Sequence, residues 1–320
     1  MKNLLTNRTI ELANKIDSFR KNAAEDLLQK DNSFIHRNCP ICYSNSGEEK
    51  EIFGYKCRKC DKCTLDYIIF VPDQKLLHDY YNDERIMKTN HEIWKRSRSG
   101  EFKKRFSVIN KLNINGPVIE LGSGPGQFVK YLNDNGLDSF GLDIDESSVI
   151  KAENINGVKV CCTNIEDDEL KFPRSGLILM YEIIEHLINP KNIIEKVFSS
   201  LKNGGYLIIT TPNAAGGSEI LIHPETKGRF LTSALYPPYH INAFTVHSLY
   251  YLLLDIGFHI SEISTPGRLD MEMLDLHTDM FKDINFGSDN NKHAIFEKFQ
   301  SIIATTLGSG HLQIIAQKPL

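Results

Sequence analysis

The sequence predicts an α/β protein, in which a sheet of parallel strands carries helices on both faces and a small cysteine-bearing module comes first. Three observations carry that expectation. From residue 115 onward, short apolar runs alternate with stretches of helical spacing. The first of those runs ends in a glycine-rich turn, Gly122-Ser123-Gly124-Pro125-Gly126. Five of the seven cysteines fall between residues 37 and 72. At 320 residues the chain has room for one full α/β domain and a smaller attachment.

Composition sets the broad class. With 41% hydrophobic and 24% charged residues, the chain reads as globular rather than disordered or fibrous. No apolar run approaches the roughly 20 residues that a membrane helix needs. Residues 1–30 are polar and charged throughout, unlike a secretory signal. The expectation is a cytoplasmic protein with no membrane partner. A net charge of −4 gives no overall pull toward nucleic acid. One local run is basic: Lys88, Lys95, Arg96, Arg98, Lys103, Lys104 and Arg105, with Trp94 among them. It reads first as a solvated helix face, and second as a footprint for phosphates.

Taken in order, residues 1–36 have helix-like spacing and form an extension, and 37–72 hold the cysteine module. Residues 73–114 return to a helical pattern as a linker and end at Asn115-Gly116-Pro117. Residues 115–320 make the main domain. Its strands are expected at 117–121, 139–142, 158–162, 177–181, 206–210, 258–263 and 312–317. Helices are expected at 127–135, from the fourth strand to Leu201, and at 246–254. Asn203-Gly204-Gly205 should stop the second of these. Two insertions, 214–242 and 265–310, are long for simple connections and are expected to cover a substrate.

The strongest motif is Val118-Ile119-Glu120-Leu121-Gly122-Ser123-Gly124-Pro125-Gly126. Glycine lets a backbone turn sharply and approach a ligand without a Cβ in the way. A dinucleotide turn would read G-x-G-x-x-G, with N–H donors facing a pyrophosphate. Here the third glycine comes one residue early and Pro125 offers no N–H, which suits a ligand without phosphate. Asp143 ends the second strand, where a carboxylate can accept both hydroxyls of a ribose. Glu120 is placed to face a positively charged amino-acid end.

These residues resemble the nucleoside-binding motifs of class I S-adenosylmethionine-dependent methyltransferases, and so does Asn203-Gly204-Gly205-Tyr206-Leu207-Ile208-Ile209-Thr210-Thr211-Pro212-Asn213. The resemblance covers about 115–265 and implies a Rossmann-like sheet. It implies S-adenosyl-L-methionine as cofactor, held by Glu120, Gly122, Ser123, Gly124, Gly126, Asp143, Ile144, Asn164 and Ile165. Ile165 would lie over the adenine, with Asn164 near its amino group. The family usually carries Asp at the position of Asn164 and at the start of the fourth strand, where this chain reads Ser175-Gly176.

Tyr181-Glu182-Ile183-Ile184-Glu185-His186 follows the fourth strand, at the edge where such sheets bind ligands. Spacing i, i+3, i+4 puts Glu182, Glu185 and His186 on one side of a helical turn. His186 is the candidate general base, since imidazole titrates near neutrality. Glu182, Glu185 and Tyr181 complete the catalytic set. The E-x-x-E-H pattern also resembles one that holds a divalent metal in ubiquinone-pathway O-methyltransferases and in plant-type small-RNA 2′-O-methyltransferases. That resemblance implies a second metal on Glu182, Glu185 and His186, with His240 as a further ligand.

Cys39-Pro40-Ile41-Cys42 is one metal-binding knuckle. Its partner comes from Cys57, Cys60 and Cys63. Pairing Cys60 with Cys63 leaves 17 residues between knuckles, inside the usual zinc window, whereas Cys57 with Cys60 leaves 14. The reading is a structural Zn²⁺ on Cys39, Cys42, Cys60 and Cys63. The stretch Cys60-Asp61-Lys62-Cys63-Thr64-Leu65-Asp66-Tyr67, with His78-Asp79-Tyr80-Tyr81 and Thr265-Pro266-Gly267-Arg268-Leu269-Asp270, resembles bacterial methyltransferases that carry an N-terminal zinc ribbon. Those are similar to sugar methyltransferases, which implies a small-molecule acceptor: a sugar or a nucleotide-linked sugar. The alternative is an RNA methyltransferase that grips phosphates with the zinc ribbon and the basic segment 88–105.

Overall fold

The structure is a computed structural model that describes residues 22, 25–29, 34–73, 75–77, 101–217, 234–267 and 270–320. Most of the expected extension, most of the linker, and basic residues 88–98 lie outside these; the end of the extension, Phe34–His36, is a strand rather than helix. Strands β1 (Phe34–His36), β2 (Gly47–Ile52), β3 (Tyr55–Cys60), β4 (Asp66–Ile68) and β5 (Phe70–Pro72) come first. Helix α1 (Glu101–Ile109), β6 (Val118–Leu121), α2 (Gln127–Asp134), β7 (Ser139–Asp143), α3 (Glu146–Lys151), β8 (Val160–Cys162) and β9 (Ser175–Tyr181) follow. A 3-10 turn (Ile184–His186) leads to α4 (Pro190–Ser200), β10 (Leu201–Pro212), β11 (Asn242–Ala243), α5 (Val246–Ile256) and β12 (His259–Ser264). The chain closes with α6 (Asp270–His277), α7 (Asp289–Thr305) and β13 (His311–Gln317).

The chain divides into two compact units: one of residues 1–78, 212–246 and 264–312, the other of 79–211, 247–263 and 313–320. The second is built on a seven-stranded sheet ordered β12-β13-β10-β9-β6-β7-β8. β6 lies between β7 and β9 and runs parallel to both. Parallel strands covered on both faces read as continuous apolar runs, and all seven residues of β9 are buried. One face packs Val118, Leu177, Leu179, Tyr181 and Ile208 against Ile109 of α1 and Phe128 and Leu132 of α2. The alternate residues Ile119, Ile178, Met180, Leu207 and Ile209 are equally buried, so the opposite face is covered too.

The sheet is mixed, which corrects the expectation of parallel strands throughout. Backbone bonds join Lys318 to Gly205 at one end and Gly310 to Asn213 at the other, so β13 runs antiparallel to β10. β10 is also longer than predicted. The helix before it stops at Ser200, and Asn203-Gly204-Gly205 forms an irregularity inside the strand, with Gly204 at φ 76°. Strand order reverses between β6 and β9, which opens a crevice at their carboxyl ends.

In the first unit, β2, β3, β4 and β11 form a four-stranded sheet, and β1 pairs with β5. The expected insertion 265–310 contains α6 and α7, which share a small core of Met271, Leu274 and Phe296. Ser288 starts α7 by accepting the Asn291 N–H. Among the described residues, no helix is long and apolar enough to cross a membrane.

Candidate active site

β6 delivers the glycine turn into the crevice. Gly122, Gly124 and Gly126 all have positive φ, between 53° and 68°. A Cβ on Gly122 would stand 2.0 Å from Ile183 Cδ1, and one on Gly126 would stand 2.7 Å from Val158 Cγ2. These glycines are therefore required both by conformation and by packing. Gly122 and Ser123 both donate to Leu142 O, which ties the turn to β7.

Asp143 ends β7 and holds the turn from the other side. Its Oδ2 accepts Gly124 N–H at 2.6 Å, and its Oδ1 accepts Asp145 N–H at 2.9 Å. A carboxylate has acceptor capacity beyond these two N–H groups, so Asp143 could also receive a ligand hydroxyl. Burial pushes this carboxyl above the ordinary aspartate range, against the lowering effect of those N–H donors. Beyond it Ile144 is exposed and Ile165 is buried. Asn164 Oδ1 is used inside its own loop, accepting Glu166 N–H at 3.0 Å.

Glu120 is buried on β6, and Ser123 Oγ is buried with no hydrogen-bond partner among the described residues. The buried Glu120 carboxylate, the orphaned Ser123 hydroxyl, a glycine turn whose Pro125 offers no N–H, and Asp143 are residues that could hold S-adenosylmethionine.

β9 delivers Tyr181 and the E-x-x-E-H segment. The segment is not the α-helical turn that its spacing predicts. Glu182 sits at φ 58°, a strained position for a residue with a side chain, and only Ile184–His186 make a 3-10 turn. The two carboxylates are held instead by successive hydroxyls at the end of β10. Thr210 donates to Glu182 Oε1 at 2.7 Å, and Thr211 donates to Glu185 Oε2 at 3.0 Å. Glu185 is 1% exposed. Burial, and then the charge of Glu182, push its carboxyl well above the ordinary range. His186 Nε2 lies 4.0 Å from Glu185 Oε1. His240 belongs to the other unit, where its backbone bridges to Tyr236.

Two residues of this unit were missed by the sequence reading. Arg105, assigned there to a solvated run, is half-buried, with its guanidinium 3.9 Å from the Tyr181 ring centroid. Its place on the inner side of α1, next to Phe102, Phe106 and Ile109, was the available signal. Glu166 accepts the N–H groups of Ile188 and Asn189, capping the start of α4 from a distant loop. No local pattern announces that contact.

The cysteine module lies in the first unit. Cys39 Sγ and Cys63 Sγ are 3.4 Å apart, as are Cys42 Sγ and Cys60 Sγ, and all four sulfurs lie within 4.8 Å of one another. A tetrahedral Zn²⁺ with bonds of about 2.3 Å calls for sulfurs roughly 3.8 Å apart, so the set fits that ion. A hydrogen bond from Cys63 lowers the Cys39 thiol to about 5, and desolvation raises Cys42 to about 12. Cys57 stands apart. Its Sγ faces Tyr55 O at 3.4 Å, and burial raises it to about 12. Cys60 comes three positions after Cys57 along β3, an odd offset that turns the two to opposite faces.

Comparison with known proteins gives the family. The chain is 31% identical over 108 residues to an uncharacterized protein of Methanocaldococcus jannaschii, covering 34% of this chain and 50% of that one. It is 27% identical over 97 residues to a probable S-adenosylmethionine-dependent methyltransferase of Mycolicibacterium smegmatis, covering 30% and 38%. The chain thus spans half or less of these curated relatives. Among solved structures, a SAM-dependent methyltransferase from Archaeoglobus fulgidus aligns at 18% identity with a TM-score of 0.48, covering 69% of this chain and 95% of that one. The family model described as a methyltransferase domain matches residues 83–263, more than half of the chain, and the protein belongs to that family.

Proposed function

We propose that the protein transfers a methyl group from S-adenosylmethionine to a small polar acceptor, a sugar or nucleotide-linked sugar. The observation that carries the reading is the meeting of two sets at one sheet edge. The glycine turn and Asp143 follow β6 and β7, and Glu182, Glu185 and His186 follow β9. When bound, S-adenosylmethionine would supply an electrophilic methyl for in-line displacement by the acceptor atom, with a neutral thioether as leaving group. Asp143 and Glu120 would hold its two ends. His186 takes the proton that an acceptor hydroxyl loses, and Glu185 beside it fixes the imidazole. Cys39, Cys42, Cys60 and Cys63 hold a structural zinc, with no open position for chemistry.

Support for a small acceptor comes from the cysteine-module resemblance and the negative net charge. The basic run also loses Arg105, whose guanidinium is stacked on Tyr181 rather than presented to phosphates. The test is calorimetry with S-adenosylhomocysteine, followed by transfer of labelled methyl to nucleotide-linked sugars and to RNA. Micromolar homocysteine-product binding and a labelled sugar are expected. No binding sinks the methyltransferase reading, and labelled RNA sinks the sugar reading.

A further inference from the structure

The cysteine module does more than close on itself. Its strand β4 pairs with β3 on one side and with β11 on the other, matching Tyr67 with Asn242 and Asp66 with Ala243. Ile68 N–H donates to Ile241 O at 3.0 Å. Arg37, two residues before the first cysteine of the cluster, spans the same junction. Its Nε donates to Ile68 O at 2.9 Å and its Nη2 to Ile241 O at 2.7 Å, and only 9% of the residue is exposed. Two further contacts reach the same segment: Thr64 Oγ1 lies 3.1 Å from Thr245 Oγ1, and the Phe53 ring packs edge-on to Tyr236 at 5.5 Å. Tyr236 and His240 bond each other through both backbone pairs, which makes a closed turn immediately before Ile241.

A two-residue strand has too few bonds to hold a register alone. Here the register of β11 depends on β4, and β4 depends on the knuckle that Cys60 and Cys63 form, where Cys60 N–H donates to Leu65 O and Thr64 N–H to Cys60 O. Binding of a structural metal and local folding are one equilibrium. We infer that the four-cysteine module is a brace for the 236–245 turn that carries His240, and that Arg37 is the positioning residue through which the brace acts. This rests on the zinc reading above. It assigns the module an internal duty, which needs no nucleic acid.

The forked guanidinium makes the inference specific, because a lysine ammonium is a point charge and reaches one carbonyl well but not two in a fixed plane. Hydrogen exchange read by mass spectrometry on the full chain, with zinc content measured on the same samples, tests it. Removing zinc with a chelator should speed exchange at 236–245 by about tenfold or more, while amides of β6 and β9 keep their protection. Zinc-loaded Arg37→Met should do the same with about one zinc per chain retained, and Arg37→Lys should fall between it and the parent. If 236–245 stays as protected in Arg37→Met as in the parent, the brace is wrong. Full rescue by Arg37→Lys also overturns the forked-clamp role. Should chelation unfold the whole chain, the two zinc-loaded variants decide by the same criteria. A purified chain that takes up no zinc refutes the zinc reading, and the Arg37 variants still decide whether the clamp exists.

Discussion

Arg105 lies over the ring of Tyr181, with its guanidinium carbon 3.9 Å from the centroid. A cation over an aromatic face is held mainly by the ring quadrupole, which leaves the guanidinium edge free to donate. Tyr181 ends β9, and its hydroxyl, raised chiefly by burial, feels the opposing charges of Arg105 and Glu120. A zwitterionic amino-acid tail bound beside Tyr181 would meet both charges, which is the basis of the expectation that follows. Arg105→Met is expected to weaken S-adenosylhomocysteine by roughly 1.5–3 kcal/mol, the scale of a charged hydrogen bond. Methylthioadenosine, which lacks the amino-acid end, should bind the variant and the parent alike. Equal losses for both ligands would show that Arg105 only holds α1 in place.

Asp143 carries the second expectation. Asp143→Ala removes the acceptor for Gly124 N–H as well as the proposed ribose contact, and should weaken the cofactor by roughly 1.5–3 kcal/mol. The carboxylate must be ionised to accept all its bonds. Because burial raises its pKa, cofactor affinity should start to fall with acid at a pH above the ordinary aspartate range. Binding favours the ionised form, so it should release protons in that window and none at neutral pH. Calorimetry in buffers of different ionisation heat measures this. Asp143→Asn should bind weakly, with a flat profile.

What could be read beforehand was local. The glycine turn, Asp143 and the spacing of Cys39, Cys42, Cys60 and Cys63 are each fixed by neighbours in sequence or by a ligand's chemistry, so the residue types announce them. What could not be read depends on partners far along the chain. Arg105 looked like one more charge in a basic run until α1 turned its inner face toward Tyr181. The geometry of E-x-x-E-H escaped for a similar reason. Thr210 and Thr211, on a strand 28 and 26 residues away, hold Glu182 and Glu185 in place of the helical turn that the spacing implied. The reversed direction of β13 is a matter of topology, and apolar periodicity is silent about direction.

Glu185 gives an expectation for stability. Its carboxyl is raised well above the ordinary range by burial and by Glu182. A carboxyl raised by folding contributes stability below its unfolded pKa, and that contribution is lost as pH rises through the folded value. Glu185→Gln keeps the shape and the neutral form at every pH. Its melting temperature relative to the parent should therefore climb as pH is raised from about 5 to 8, a window above the unfolded carboxylate pKa. A difference that shrinks with rising pH would show that the ionised carboxylate has a cation beside it in solution.

His186 decides between base and metal ligand. It follows Glu185 on the 3-10 turn, with Nε2 4.0 Å from that carboxylate and the side chain only partly exposed. As a general base, its replacement by alanine should lower turnover by about 10²–10⁴ while cofactor affinity stays within a factor of two or so, because the imidazole works on the acceptor's proton and not on the cofactor. The parent enzyme should then keep its rate in a strong chelator once the structural zinc is accounted for by elemental analysis. As a metal ligand, the same substitution should cost a similar factor, but the parent should lose activity to chelator and regain it with added Mg²⁺ or Mn²⁺ while zinc content is unchanged. The pH profile separates the two independently. A base leaves a rising limb in the pH profile, which vanishes in His186→Ala. A transfer rate untouched by the substitution would remove both roles and leave positioning by Asp143 and Glu120 as the source of catalysis.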